Sequence, residues 1–296
     1  MPSSQFNPLP PQRRHRRGMF LLPSLFTGAN IAAGYYAILQ AMHGSVAEAW
    51  HFDYAAKAIG LAILFDGFDG RIARMTNTAS DFGRELDSLA DCITFGVAPA
   101  ILCWMWGFSL LPFGNYAGVP PWLNMDSSDL RVKLVQLGAV MSFIFLTAGA
   151  SRLARFNITK NPQPSNPGRP GKRYFVGMPI PAGAGVIAAI VHFTDGGPIT
   201  WWVASITWCA LIAAVSFLMV STWRFPSFKD IDLRKKHPSR FFILVVIVIA
   251  SIWYYSQVVL FVLAFTYMLW GVVPRLIYAL RRKSSSVPMP EPQTQL

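Results

Sequence analysis

Charge is what this sequence has least of. Asp, Glu, Lys and Arg make up 14% of its 296 residues, against about 25% in a soluble globular domain. Apolar residues fill the gap at 53%, with aromatics at 14%, which excludes an ordinary soluble fold and fits a chain that crosses a membrane several times. Cysteine is scarce as well. Cys92, Cys103 and Cys209 are odd in number and unclustered, which excludes both a disulfide framework and a zinc site. Each reads as a small buried hydrophobe without a redox role. Acidic residues number 14 against 26 basic ones, leaving a net charge of +12. On a soluble chain that surplus would point to nucleic acid; here it must first be placed relative to a bilayer.

What is abundant is long apolar runs. Stretches of about 17–25 residues are enough to cross a hydrocarbon core roughly 30 Å thick. Eight are expected, over 20–41, 54–75, 85–107, 132–154, 176–194, 199–221, 240–256 and 258–280. The fold class is therefore an all-α polytopic membrane bundle, with a tight turn pairing the last two helices as a hairpin. The basic cluster Arg13, Arg14, Arg16 and Arg17 followed by an apolar run resembles a signal peptide. However, the run from Met19 to Met42 outlasts the 7–15 residues of a signal core, so it is read as the first membrane helix. The chain divides into a Pro-rich, basic tail over 1–18, a membrane core over 19–225, a basic connection and helical pair over 226–283, and a Ser/Pro-rich tail over 284–296. Both tails are expected to be disordered.

The basic residues supply an independent check on topology. With the N-terminus on the cytoplasmic side, the N-terminal tail, the even-numbered connections and the C-terminal end carry nearly all the Lys and Arg. Only Lys57, Arg131 and Lys133 fall near the other face. This asymmetry obeys the positive-inside rule with both ends cytoplasmic, in the inner membrane. The same charges face anionic headgroups, each contributing about 1 kcal/mol near the surface. Membrane lipids account for the +12, and no nucleic-acid partner is required.

Residues 66–91 read DGFDGRIARMTNTASDFGRELDSLAD. Asp66, Asp69, Gly70, Ala73 and Arg74 share one helical face, and so do Gly83, Asp87 and Asp91. A short polar stretch joins the two helices, so they are antiparallel neighbours whose aspartate faces can meet. Four carboxylates at the end of a membrane span repel one another, and each costs at least about 2.5–3.5 kcal/mol if uncompensated. Hard divalent cations with oxygen ligands are the natural remedy, and a pair of ions, Mn²⁺ or Mg²⁺, suits four aspartates. Gly70, Ala73 and Gly83 leave room beside them for a bulky phosphate ligand. A cation carrier is the rival from another class, but it would place carboxylates near the bilayer midplane. A non-catalytic lipid-binding scaffold is more distant.

The pattern D66-x2-D69-G70-x2-A73-R74-x8-G83-x3-D87-x3-D91 resembles the signature of the CDP-alcohol phosphatidyltransferase family at every fixed position. The flanks 80–100, 151–157 and 175–185, with the opening LPSLFTGANIAAGY (22–35), are similar to the membrane-embedded synthases that use serine as acceptor. Gly183 and Gly185 depart from the alanines favoured there. The resemblance implies a six-helix catalytic core and a homodimer. It implies that Asp66, Asp69 and Asp87 ligate metal, and that Asp91 completes the site and serves as catalytic general base. Gly70, Ala73, Arg74 and Gly83 would border the CDP moiety of CDP-diacylglycerol. The acceptor it implies is L-serine, with glycerol 3-phosphate or an inositol phosphate as alternatives.

Serine brings a carboxylate that needs a cationic partner. Arg152 and Arg155 end the fourth span on the aspartate side, with Asn157 close by; Lys172 and Arg173 are candidate phosphate or headgroup contacts. Asn30 is polar inside an apolar span, where it lines the lipid cavity or bonds to a neighbouring helix. None of His15, His43, His51, His192 and His237 lies near the motif. A phosphohistidine route is accordingly disfavoured, and direct displacement of CMP is expected.

Overall fold

The computed structural model describes residues 21–76, 81–112, 127–159, 174–226 and 238–284. The expected tail over 1–18 and all of the expected tail over 284–296 but Ser284, which ends the last helix, lie outside the described residues, as do Lys172 and Arg173 and the side chains of Asp69, Gly70, Ala73 and Arg74.

Two helices open the chain, α1 (Leu21–His43) and α2 (Trp50–Thr76). They pack along their length because the facing positions are small: Ala37, Ala41, Ala55, Ala56, Ala58 and Ala62 are all buried. In lipid there is no hydrophobic drive between helices, so close backbone approach is what holds such a pair. Ser45 closes the turn between them by accepting from the Glu48 N–H at 3.1 Å.

The next rod is continuous over 81–109 but not uniform. It runs as α3 (Asp81–Asp91), a π-helical stretch Cys92–Val97, α4 (Ala98–Trp104) and a second π-helical stretch Met105–Ser109. The first wide stretch begins at the residue after Asp91. Such stretches are rare and gather at functional sites. This one lets α1 approach closely: Thr94 is buried, and its hydroxyl donates to the Asn30 carbonyl at 3.1 Å. Gly34 meets Thr94 with no room for a side chain.

Beyond it come α5 (Ser127–Ile158), α6 (Ile180–Phe193), α7 (Trp202–Val220) and α8 (Pro238–Ser284). Phe52, Phe95, Phe108, Phe145, Ile187 and Ile212 fill the centre, fully buried. Among the described residues, Phe82–Ser109, Ser128–Ile158, Trp202–Val220 and Val245–Tyr278 are long and apolar enough to cross a membrane. Large apolar side chains face outward along α8, including Ile243, Val246, Ile247 and Ile249. This is a membrane protein.

Two local features depart from expectation. An all-helical chain was expected, but Tyr174–Val176 pairs antiparallel with Arg224–Pro226 to form a small ribbon, β1–β2. It displaces the start of the fifth expected span from 176 to Ile180. The cause is local: Gly177 takes φ +76, and Pro179 and Pro181 fix the entry to α6. The last two expected spans correspond to α8, whose backbone leaves helical geometry at Tyr255 (φ −136, ψ 45).

Candidate active site

Helical spacing places Asp66 on α2, and Asp87 and Asp91 one turn apart on α3. Both helices pack against α1, and the three carboxylates meet there. One carboxylate oxygen from each lies within 4.8 Å of the others. Asp91 is buried, while Asp66 and Asp87 are half-buried. Asp69 stands three residues beyond Asp66 on the same helix. Gly83, half-buried, stands one turn before Asp87.

Like charges at 4.8 Å repel by about 3.5 kcal/mol per pair at an effective dielectric near 20. The fold must therefore bring in positive charge. The donor set suits a hard divalent cation, since every ligand atom is a carboxylate oxygen. A further oxygen is close at hand. Asn30, 1% exposed on α1, donates from Nδ2 to Asp91 Oδ1 at 3.4 Å. Its own Oδ1 is buried with no hydrogen-bond partner among the described residues. A buried amide oxygen left in that state costs about 1–3 kcal/mol, and the cost is removed by whatever cation or donor occupies the space beside Asp91. The residues present fit a metal.

The two arginines at the end of α5 have different surroundings. Arg152 is 7% exposed and interacts electrostatically with Asp91, Asp66 and Tyr267. Its guanidinium lies 5.4 Å from the Phe156 ring. Arg155 is taken up by backbone. Its Nη1 donates to Val220 O at 2.8 Å, and its Nη2 reaches Ser221 O at 3.2 Å, Met219 O at 3.4 Å and Val176 O at 3.5 Å. These are the last carbonyls of α7 and the end of β1, where a cation complements the helix dipole. Gly177 completes this knot, because a Cβ there would meet Met219 O at 2.6 Å and Ser221 O at 2.7 Å.

Two contacts escaped the sequence reading. Asn157 donates to Ser88 Oγ at 2.9 Å, tying the end of α5 to the aspartate helix between Asp87 and Asp91. Thr94 anchors α1 through the Asn30 carbonyl. The available signal was single polar residues such as Thr94 and Asn30 in apolar stretches, but the partner of each lies on a different helix.

Residues 20–212 match the family pattern for CDP-alcohol phosphatidyltransferase. The chain is 32% identical over 262 residues to the CDP-diacylglycerol–serine O-phosphatidyltransferase of Helicobacter pylori (strain ATCC 700392 / 26695), covering 86% of this chain and 91% of that protein. It is 33% identical over 211 residues to the protein of the same name from Bacillus subtilis (strain 168), covering 71% and 93%. The corresponding protein of Methanocaldococcus jannaschii is 32% identical over 185 residues, covering 62% and 65%. The matched segment contains α1 to α6 and the aspartate site. This chain therefore belongs to the CDP-alcohol phosphatidyltransferase family, a family of enzymes.

Proposed function

We propose that the protein transfers the phosphatidyl group of CDP-diacylglycerol to the hydroxyl of L-serine, releasing CMP. The observation that carries this reading is the convergence of Asp66, Asp87 and Asp91 within 4.8 Å beside a buried arginine. The names of the relatives supply the acceptor.

In this reading Asp66, Asp87 and Asp91, with Asp69 by its place in the family pattern, hold two divalent ions, Mn²⁺ or Mg²⁺. Bound there, the metal neutralises pyrophosphate charge and makes CMP a better leaving group. Gly70, Ala73, Arg74 and Gly83 border the CDP moiety. Arg152 receives the serine carboxylate, and Lys172 and Arg173 contact phosphate. Asn30 holds the Asp91 carboxylate in place. Asp91 accepts the proton of the serine hydroxyl as its oxygen bonds to the β-phosphorus. The bond from that phosphorus to the CMP oxygen breaks on the opposite side. The Ser88–Asn157 bond keeps the arginine end of α5 at a fixed distance from the base.

The same reading sets the aspartate end of the bundle at the cytoplasmic face of the inner membrane, with eight spans, a six-helix catalytic core and a homodimeric assembly. The basic ends of the chain and the positive-inside pattern support that orientation. The test is CMP release from purified protein given CDP-diacylglycerol, Mn²⁺ or Mg²⁺, and each of serine, glycerol 3-phosphate and inositol phosphate in turn. Release with serine alone supports the proposal. Release with glycerol 3-phosphate alone reassigns the acceptor, and no release with any acceptor refutes the enzyme reading.

A further inference from the structure

About 13 residues before Asp66, and so roughly 20 Å up α2, lies a second set of polar groups that the phosphatidyl transfer does not use. Asp53, His192 and Ser256 come from α2, α6 and α8 and form one hydrogen-bonded chain. His192 Nδ1 lies 2.5 Å from Asp53 Oδ1, and His192 Nε2 lies 2.9 Å from Ser256 Oγ. Asp53 is 8% exposed and His192 4% exposed, while Ser256 is only partly covered. Lys57 Nζ lies 2.6 Å from the other Asp53 oxygen. In the tautomer whose Nδ1–H donates to the Asp53 carboxylate, Nε2 faces the Ser256 hydroxyl as an acceptor. That is the arrangement of nucleophile, base and orienting acid by which a serine is activated.

The surroundings hold the three groups in place. The turn after α6 carries two positive-φ residues, Asp195 (φ 53) and Gly196 (φ 75). Gly196 sits directly on the backbone of Ala49 and Asp53, with no space for a side chain. Asp195 accepts from the Gln257 side chain, fixing the residue next to Ser256. A non-glycine residue at positive φ costs energy and persists only where its neighbours demand it. Ser256 itself follows the non-helical Tyr255, at a kink in α8. Trp253, Tyr254 and Tyr255 are 84%, 77% and 71% exposed. Exposed Trp and Tyr are enriched at headgroup depth, where the ester groups of membrane lipids lie.

We propose that Ser256, with His192 and Asp53, forms a second catalytic site that cleaves carboxylic esters of lipid type. The Ser256 oxygen bonds to the ester carbonyl carbon and its proton passes to His192 Nε2. The carbonyl–alkoxy bond then breaks, and the alkoxide takes that proton as it leaves. Water, losing a proton through His192, releases the acyl group as a carboxylic acid and restores Ser256.

The test uses the full-length protein in lipid nanodiscs and a fluorophosphonate probe, which forms a covalent adduct only with activated serines, read by intact mass and peptide mapping. The expected result is one adduct per chain, on Ser256, absent in Ser256→Ala. In His192→Gln its rate of formation falls on the order of a hundredfold or more. Asp66→Asn, which acts at the other site, labels like the parent protein. Ser256→Ala retains CMP release, showing that it is folded. Absence of a Ser256 adduct in the parent protein overturns the proposal and leaves the chain as a tie between helices. A Ser256 adduct formed at an undiminished rate in a folded His192→Gln protein overturns it as well.

Discussion

Replacing Asp91 by Asn should make the metal-free protein more stable and the metal-loaded protein no better. Three carboxylates with oxygens within 4.8 Å make three repulsive pairs, each worth about 3.5 kcal/mol at an effective dielectric near 20. Asp91→Asn removes two of those pairs while keeping an oxygen to accept from Asn30. The attraction of Arg152 is lost with them, and the half-buried Asp66 and Asp87 are screened by solvent. A net gain of about 1–2 kcal/mol remains after that discount, which corresponds to a rise in Tm of roughly 2–8 °C for a chain of this size. Divalent metal relieves the same repulsion in the parent protein, adding about 2.7 kcal/mol when free metal is a hundredfold above Kd. Asp91→Asn should lose most of that increment. The assay is thermal unfolding in detergent, with chelator and across a Mn²⁺ titration. The reasoning fails if Asp91→Asn is less stable than the parent in chelator and gains as much from Mn²⁺.

Further outcomes follow from the arginines and the knot at the end of α7. Arg152→Ala should raise the KM for serine by about 10–100-fold, the loss of one charged hydrogen-bonding partner. The KM for CDP-diacylglycerol should change little in steady-state CMP release. Arg155→Ala should act on stability instead, since its terminal nitrogens hold the carbonyls of Val220, Ser221, Met219 and Val176. A loss of about 1.5–3 kcal/mol in thermal unfolding is expected. Gly177→Ala should cost about 2–3 kcal/mol, because φ +76 and the nearby Met219 and Ser221 carbonyls both oppose a Cβ. Asn30→Leu should lower kcat with little change in Tm, since it frees the Asp91 carboxylate while filling the same space with an apolar group.

Much of this was written in the sequence because the information is local. Asp66 and Asp69, or Asp87 and Asp91, declare a shared face by spacing alone, and the short link between the helices lets only neighbouring faces meet. The first six apolar runs likewise mark helical segments to within a few residues, while the last two fall together on α8. What the sequence could not express depends on distant partners. Arg152 and Arg155 sit three residues apart at the end of one helix and look alike. Only the position of the α7 carbonyls, some 65 residues on, separates the cation facing the aspartates from the one that caps α7. The β1–β2 ribbon was hidden because two three-residue strands give too little alternation to register. The π-helical stretch after Asp91 leaves no mark in composition, being set by how α1 packs at Thr94. The Asp53–His192–Ser256 chain joins residues 139 and 64 positions apart, beyond the reach of any periodicity argument.

The central claim is that the aspartate cluster moves a phosphatidyl group from CDP-diacylglycerol to serine. The measurement that tests it most directly follows CMP and phosphatidylserine together, by chromatography and mass spectrometry, in one reaction of purified protein with CDP-diacylglycerol, serine and Mn²⁺. The account predicts equal molar amounts of both products, and neither with chelator or with Asp66→Asn. CMP formed without phosphatidylserine, or phosphatidylserine formed undiminished by Asp66→Asn, would contradict it.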